Sequence, residues 1–104
     1  MSVILIYMTA SPREVDDLCA ALLERKLIAC ANIMAPHKAI YRWEGRVESE
    51  NECAVILKTT QEKFAELEKA VVELHSYDTP CLLQIDITDA HEPFLKWIGE
   101  QVAD

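Results

Sequence analysis

An α+β fold built around one antiparallel sheet is the architecture that three observations predict. Apolar runs at residues 3–9 and 53–58 have the length and composition of buried strands. Two longer segments carry apolar residues at helical spacing. Gly45, one of only two glycines in 104 residues, lies in a short connection where a hairpin needs a positive φ. The order strand, helix, strand, strand, helix, strand, then a terminal helix, gives a ferredoxin-like βαββαβ topology.

Two capping patterns predict where the main helices begin. Ser11 is the expected N-cap of a first helix over residues 12–26, with proline at its first position and Glu14 completing a capping box. Thr59 is expected to cap the second helix in the same way. That helix ends near His75, shortly before a proline that favours extended backbone.

The last strand and the last helix complete the predicted fold. Residues 81–87 form an apolar strand, and a short helix opens at Glu92. The apolar side of this helix consists of Phe94, Leu95, Ile98 and Val102, with Trp97 at its margin. Both main helices are expected on one face of the sheet, so the other face is expected to be bare.

The central hairpin is predicted to be longer than the elements around it. Its first arm, residues 28–43, would extend about 50 Å at roughly 3.3 Å per residue, with a kink at Pro36. The first helix would cover only about 22 Å. An exposed edge that carries Tyr41 and Trp43 would aggregate unless it were paired, so the sequence predicts self-association through these aromatic residues.

Composition limits the class of protein. A chain of 104 residues fits a single domain over residues 1–104. The formal charge of -8 comes from 10 basic and 18 acidic residues, and no basic stripe is present, which disfavours nucleic acid as a partner. The acidity favours solubility first and attraction of cations second.

No membrane segment is expected either, because the apolar run within residues 1–9 is too short to span a bilayer and lacks the features of a signal peptide. The cysteines show no CxxC spacing, which favours reduced thiols in a cytoplasmic protein. They are Cys19, Cys30, Cys53 and Cys81.

Cys19 lies on the apolar stripe of the first helix and is predicted to be buried in the hydrophobic core.

Motifs for common catalytic chemistries are missing from the sequence. There is no glycine-rich phosphate loop, no paired cysteines on the first loop, and no arginine cradle there. A small hydrolase or transferase would have only Lys58, His75 and Asp86 to work with. The sequence therefore predicts a binding or regulatory protein rather than an enzyme.

Met8 and His75 are the candidate metal ligands. In this topology the ends of the first strand and the second helix can lie close together, and a thioether with an imidazole suits Cu(I). The alternative is that His75 interacts with the last carbonyls of the helix that it ends.

Lys58 is a candidate anion ligand, at the end of a buried strand beside a helix start. The alternative is an ion pair with Glu44, Glu48 or Asp86. Lys58, Tyr77 and Asp86 are expected to form a ligand cleft near His75 at a subunit interface.

Several segments together resemble one family over essentially the whole chain. They are LLERKLIACANI, IYRWEG, ILKTT, ELHSYDTPCLLQIDI and the closing FLKWI. They are similar to the CutA divalent-cation tolerance proteins. The resemblance implies a ferredoxin-like subunit related to the PII signalling proteins, in a homotrimer whose long hairpins pack against adjacent subunits. It also implies a role in tolerance to copper and other divalent metals, without an established catalytic activity.

The resemblance also implies particular metal ligands. In the family, copper ligation is attributed to a soft residue at the end of the first strand and to histidines in an H-H-P-Y segment. Met8 has the first position and His75 that of the second histidine, whereas Leu74 and Ser76 replace the first histidine and the proline. We therefore expect at most weak, Cu(I)-biased copper binding and no other cofactor. A sensor of a small anion in a subunit-interface cleft is the alternative function.

Overall fold

The computed structural model describes residues 2–104, and within them it contains five strands and three α-helices. In chain order these are β1 (Val3–Ala10), α1 (Val15–Glu24), β2 (Cys30–Ile33), β3 (His37–Trp43), β4 (Arg46–Thr60), α2 (Phe64–Leu74), β5 (Leu82–Asp86) and α3 (Glu92–Gln101). A 3₁₀ turn at Gln61–Lys63 precedes α2. No helix in this part of the chain is long and apolar enough to cross a membrane.

The strands form an antiparallel sheet in the order β2-β4-β1-β5, and β3 pairs with the outer half of β4. In β1, Ile6 lies opposite Leu57 of β4 on one side and opposite Gln84 of β5 on the other. The two central strands, β4 and β1, lie between β2 and β5, which follow the first and the second main helix, as the split βαβ topology requires. The predicted ferredoxin-like α+β fold is confirmed.

The hairpin turn consists of Glu44 and Gly45, which both have positive φ, at 50° and 78°. Two such residues form the tight connection that matches the twist of antiparallel strands. The first arm is interrupted: β2 ends at Ile33 and β3 begins at His37, with Pro36 between them. The predicted kink is therefore a complete break in the strand, because proline has no N–H for the ladder.

Helices α1 and α2 cover one face of the sheet. Ile4, Ile6 and Met8 of β1 point towards them and are almost fully buried, and they pack against Leu22 of α1 and Leu67 of α2. Burying each large aliphatic side chain of this kind contributes about 1.5 to 3 kcal/mol. Cys19 is also buried in this cluster, as predicted.

The second sheet face, opposite α1 and α2, is not bare, which corrects the expectation from the sequence. Helix α3 packs across one end of it, where Ile98 and Val102 bury Val3 and Ala29. The sequence predicts which side of this short helix is apolar, but it does not predict which face of the sheet that side covers. The position of α3 is known only from the three-dimensional structure. The rest of the second face remains open, with Leu83 59% exposed.

Both predicted capping arrangements are wrong in detail. The Ser11 hydroxyl donates to the Glu14 carboxylate, and α1 begins at Val15 rather than at residue 12. The Thr59 hydroxyl donates to the carbonyl of Leu27, and β4 continues through the next residue. In each case the side chain that could have capped a helix has taken another hydrogen-bond partner.

Candidate functional site

His75 is the central residue of the candidate site. Its side chain is fully buried directly after α2. Nε2 lies 2.8 Å from the carbonyl oxygen of Thr9, and Nδ1 accepts a hydrogen bond of 3.1 Å from the backbone N–H of Tyr77. A carbonyl only accepts and a backbone N–H only donates, so the ring is neutral with its proton on Nε2. The ring thus binds β1 instead of the last carbonyls of its own helix.

A carboxylate on α1 holds the segment that follows His75. Glu14 accepts hydrogen bonds from the backbone N–H of Ser76 at 3.0 Å, from the Ser76 hydroxyl and from Ser11. Burial raises the pKa of Glu14, but the hydrogen bonds from Ser76 and Ser11 lower it more, so the net pKa is below 4.5. The folded protein therefore stabilises the ionised form of the Glu14 carboxylate.

The His75 ring contacts Thr9, the residue that follows Met8 on β1. Met8 is fully buried among the core residues under α1 and α2. Both ring nitrogens of His75 are already hydrogen-bonded. Among residues 2–104, no group of three or more histidine, cysteine or acidic side chains is placed to hold a metal ion.

Lys58 lies away from His75, on the second sheet face. Its Nζ donates to the side-chain oxygen of Asn32 at 2.7 Å and lies 5.6 Å from the centre of the Phe94 ring on α3. Among residues 2–104 this amine forms no ion pair, and α2 covers the opposite face of the sheet. In the described part of the chain, the hydrogen-bond partner of the Lys58 charge is therefore an uncharged amide.

Within one chain, Asp86 does not share a sheet face with Lys58. In the sheet register Asp86 lies opposite Ile4, whereas Lys58 lies opposite Leu5. Since successive side chains on a strand alternate between faces, these two charges are on opposite sides of the sheet. Asp86 accepts a hydrogen bond of 2.8 Å from Gln84 instead. The four residues expected in one cleft are thus divided between separate places within one chain.

Tyr77 connects His75 to a second feature of the molecule. Its ring lies 4.5 Å from the imidazole, centre to centre, and its hydroxyl donates to the Glu52 carboxylate at 2.9 Å. Burial, followed by this hydrogen bond and the charge of Glu52, strongly raises the pKa of the Tyr77 phenol. The phenol thus remains a neutral donor that joins the loop after α2 to the central hairpin.

The space between that loop and the hairpin is a groove of about 500 Å³, called the hairpin groove below. Its aromatic walls are Tyr41, Trp43 and Tyr77, and its acidic residues are Glu48, Glu50, Glu52 and Asp78. The two hairpin aromatics were predicted to be interface residues, and they are 37% and 44% exposed.

The acidic side of the hairpin groove was missed in the sequence, although a signal was present. Residues 46–52 read RVESENE, with glutamate at every second position. On a strand, residues two apart project from one face, so Glu48, Glu50 and Glu52 form a row. Glu14 was missed as an anchor of the loop because its partner, Ser76, is 62 residues away.

These features define the class of protein: a ferredoxin-like α+β subunit with a projecting hairpin and a loop anchored by a buried histidine. The family model of the CutA1 divalent ion tolerance protein matches residues 3–101. The chain belongs to this family, which confirms the resemblance seen in the sequence.

Relatives with this name match over nearly their whole length. A CutA divalent-cation tolerance protein of Archaeoglobus fulgidus is 47% identical over 98 residues, which are 93% of this chain and 95% of the relative. One from Pyrococcus horikoshii is 40% identical and covers 94% and 96%. The solved CutA1 structure from Ehrlichia chaffeensis superposes with a TM-score of 0.92 at 36% identity, over 98% of this chain and 96% of that one.

Proposed function

We propose that this protein contributes to tolerance of divalent metal ions, by binding or regulation rather than by catalysis, and that it acts as a homotrimer. The match of residues 3–101 to the divalent ion tolerance family is the observation that carries the proposal. A buried imidazole, hydrogen-bonded to the carbonyl of the residue that follows Met8, supports the proposal.

Copper is the metal proposed, held weakly by Met8 and His75. A thioether and an imidazole are soft and borderline ligands, which suit Cu(I) better than magnesium or calcium. The only ring lone pair of His75, on Nδ1, accepts the N–H of Tyr77. A metal has to displace this donor, at a cost of about 1 kcal/mol for the hydrogen bond alone, so weak binding is expected.

The proposed trimer uses the surfaces that a single chain leaves open. Ile40 and Val47 on one face of the hairpin are 67% and 70% exposed, and Tyr41 and Trp43 on its other face are 37% and 44% exposed. Large apolar side chains exposed on a projecting element are typical of protein interfaces. Packing of hairpins against neighbouring copies would remove them from water.

Native mass spectrometry with and without Cu(I), under reducing conditions, tests the metal site and the assembly together. A trimer is expected to gain one copper per subunit and to lose this copper in Met8→Leu, which keeps the volume but removes the sulfur. His75→Ala should lose it as well, whereas the exposed His91→Ala is the matched control. Wild-type protein that stays free of copper, or Met8→Leu that binds it equally, would refute the copper site.

A sensor of a small anion is the second candidate function, and the environment of Lys58 favours it. The amine is partly exposed and bound to an uncharged amide oxygen of Asn32 rather than to a carboxylate. Binding of inorganic phosphate, measured by calorimetry, should disappear in Lys58→Gln and persist in Lys96→Gln. Equal binding by both variants would exclude Lys58 as the ligand.

We also propose a cytoplasmic location, since four free cysteines favour a reducing compartment. A solved relative from Archaeoglobus fulgidus, with 45% identity and a TM-score of 0.92, is described as periplasmic. Thiol labelling of intact and permeabilised cells distinguishes the two locations.

A further inference from the structure

The outer part of the hairpin projects from the domain with only two strands. Strand β3 pairs with β4, and within the described chain residues 46–52 of β4 pair with β3 alone. The molecule is correspondingly elongated, with extents of 44 × 25 × 23 Å. A two-stranded hairpin is only marginally stable in water by itself, so it gains from a surface that covers its faces.

The two faces of this hairpin differ in charge. Residues that lie opposite each other across the two strands share a face, and successive residues along a strand alternate between faces. One face lines the hairpin groove and carries Tyr41, Trp43, Glu48, Glu50 and Glu52, with Arg46 beside the turn. The other face, called the basic face below, carries Lys38, Ile40, Arg42, Val47, Ser49 and Asn51.

Neither set of charges is neutralised within one chain. Lys38 and Arg42 are exposed, and among residues 2–104 they form no ion pair. Four carboxylates line the hairpin groove, and its described lining contains no lysine, arginine or histidine. The two sets cannot meet in one chain, because they lie on opposite sides of the same hairpin. A second copy of the chain can bring them together.

The apolar side chains of the two faces are complementary as well. Ile40 and Val47 are the exposed apolar residues of the basic face, and the groove offers the rings of Tyr41 and Trp43. Aliphatic side chains pack on aromatic rings, and an arginine can stack on them as well as pair with a carboxylate. The basic face therefore matches the groove both in charge and in apolar contact.

The charges also determine which faces can meet. Contact between two groove faces would bring carboxylates together, and contact between two basic faces would bring cations together, so both are unfavourable. Contact between unlike faces is heterologous, and such contacts form a closed ring when the rotation between copies closes. In a ring, every hairpin presents its basic face to one neighbour and accepts the basic face of the other.

We propose that the basic face of one hairpin docks in the hairpin groove of the next copy, where Lys38 and Arg42 pair with Glu48, Glu50 and Glu52. The occupant of the groove is thus a second copy of this chain. This inference rests on the homotrimer of the proposed function, and it adds the direction of the contact and the ion pairs that form it.

A charge-reversal cycle between Arg42 and Glu50 tests the docking. These side chains lie on opposite faces of one hairpin, so coupling between them reports a contact between copies. Sedimentation velocity, in urea at which the wild-type trimer partly dissociates, measures assembly. Arg42→Glu and Glu50→Lys should each raise the concentration of half-assembly by at least about tenfold, because each brings like charges together. The double variant restores opposite charges and should return to within about threefold of wild type.

The matched control exchanges the same charges outside the hairpin. Lys96→Glu on α3 and Glu68→Lys on α2, alone and combined, should assemble like wild type. Fluorescence gives a second, local measurement, because Trp43 is the remaining tryptophan in a Trp97→Phe background. Trp43 should lose most of its accessibility to acrylamide in the trimer and regain it in the dissociated Arg42→Glu variant.

The outcomes separate this proposal from the homotrimer itself. A wild-type protein that is a monomer would overturn both. A trimer whose double variant assembles no better than the weaker single variant would overturn the docking alone. The docking would also be wrong if Trp43 were equally accessible in the trimer and in the dissociated chain, since the groove would then be open to another occupant.

Discussion

The imidazole Nε2 of His75 lies 2.8 Å from the carbonyl oxygen of Thr9, although the two residues are 66 positions apart in the chain. This contact joins the segment after α2 to the end of the first strand. Through the neighbouring Tyr77 it also positions one wall of the hairpin groove. A single buried ring thus joins the end of β1 to the loop that carries Tyr77.

Replacing His75 with alanine should lower the free energy of unfolding by about 2 to 4 kcal/mol. The change leaves a cavity and removes the partners of a buried carbonyl and a backbone N–H. Urea denaturation at fixed protein concentration measures the effect. His91→Ala, at an exposed position, should stay within about 0.5 kcal/mol of wild type; similar losses in both variants would contradict a special role for His75.

Glu14 should make stability depend on pH in acid. Its pKa in the folded protein is below the ordinary value of 4.5, so its contribution is fully present above pH 4.5 and is lost as pH falls through the lower, folded value. Thermal unfolding of Glu14→Gln from pH 7 to pH 2.5 should therefore show a shallower decline than wild type. Glu68→Gln should follow wild type, and a Glu14→Gln curve of unchanged slope would show that the carboxylate is not coupled to folding.

Trp43→Glu should weaken assembly. The substitution puts a charge on a half-exposed apolar position of the hairpin, beside a row of glutamates. Sedimentation velocity over a range of concentrations is the measurement, with Val72→Glu on the outer side of α2 as the matched control. A Trp43→Glu protein that remains a trimer with unchanged melting temperature would rule out this residue as an interface contact.

Ile98→Ala should destabilise the protein by about 2 to 4 kcal/mol, although α3 is the last helix of the chain. Ile98 is 1% exposed and packs with Val3 and Ala29 on the second sheet face. Chemical denaturation should show the loss, and Val72→Ala, at a position 60% exposed, should change stability by less than about 0.5 kcal/mol. A negligible effect of Ile98→Ala would show that the packing of α3 against the sheet does not contribute to the free energy of unfolding.

Local patterns were sufficient for the order of the elements and for the core. Alternation and helical spacing do not depend on distant partners, so β1 and the turn at Gly45 were predicted correctly. Most of the apolar stripe expected on α1 is buried as well, but Leu23, which was expected in it, is 43% exposed. The division of the chain into a single domain stays a prediction.

The site was less predictable, because its contacts join distant parts of the chain. Lys58 was expected either to bind an anion or to pair with a carboxylate, and the topology places the amide of Asn32 of β2 beside it. The row of glutamates on β4 could have been read from their alternation, yet the concave space above them exists only because Tyr77 is held opposite.

The sequence by itself determined the family, the split βαβ topology and the residues that form the main core, since these follow from periodicity and from segments that lie close together in the chain. Only the tertiary structure decided the partners of Ser11, Thr59 and His75 and the position of α3 on the second sheet face. The physical reason is competition: a polar side chain binds the best partner that packing brings within about 3 Å, and packing is a property of the whole fold.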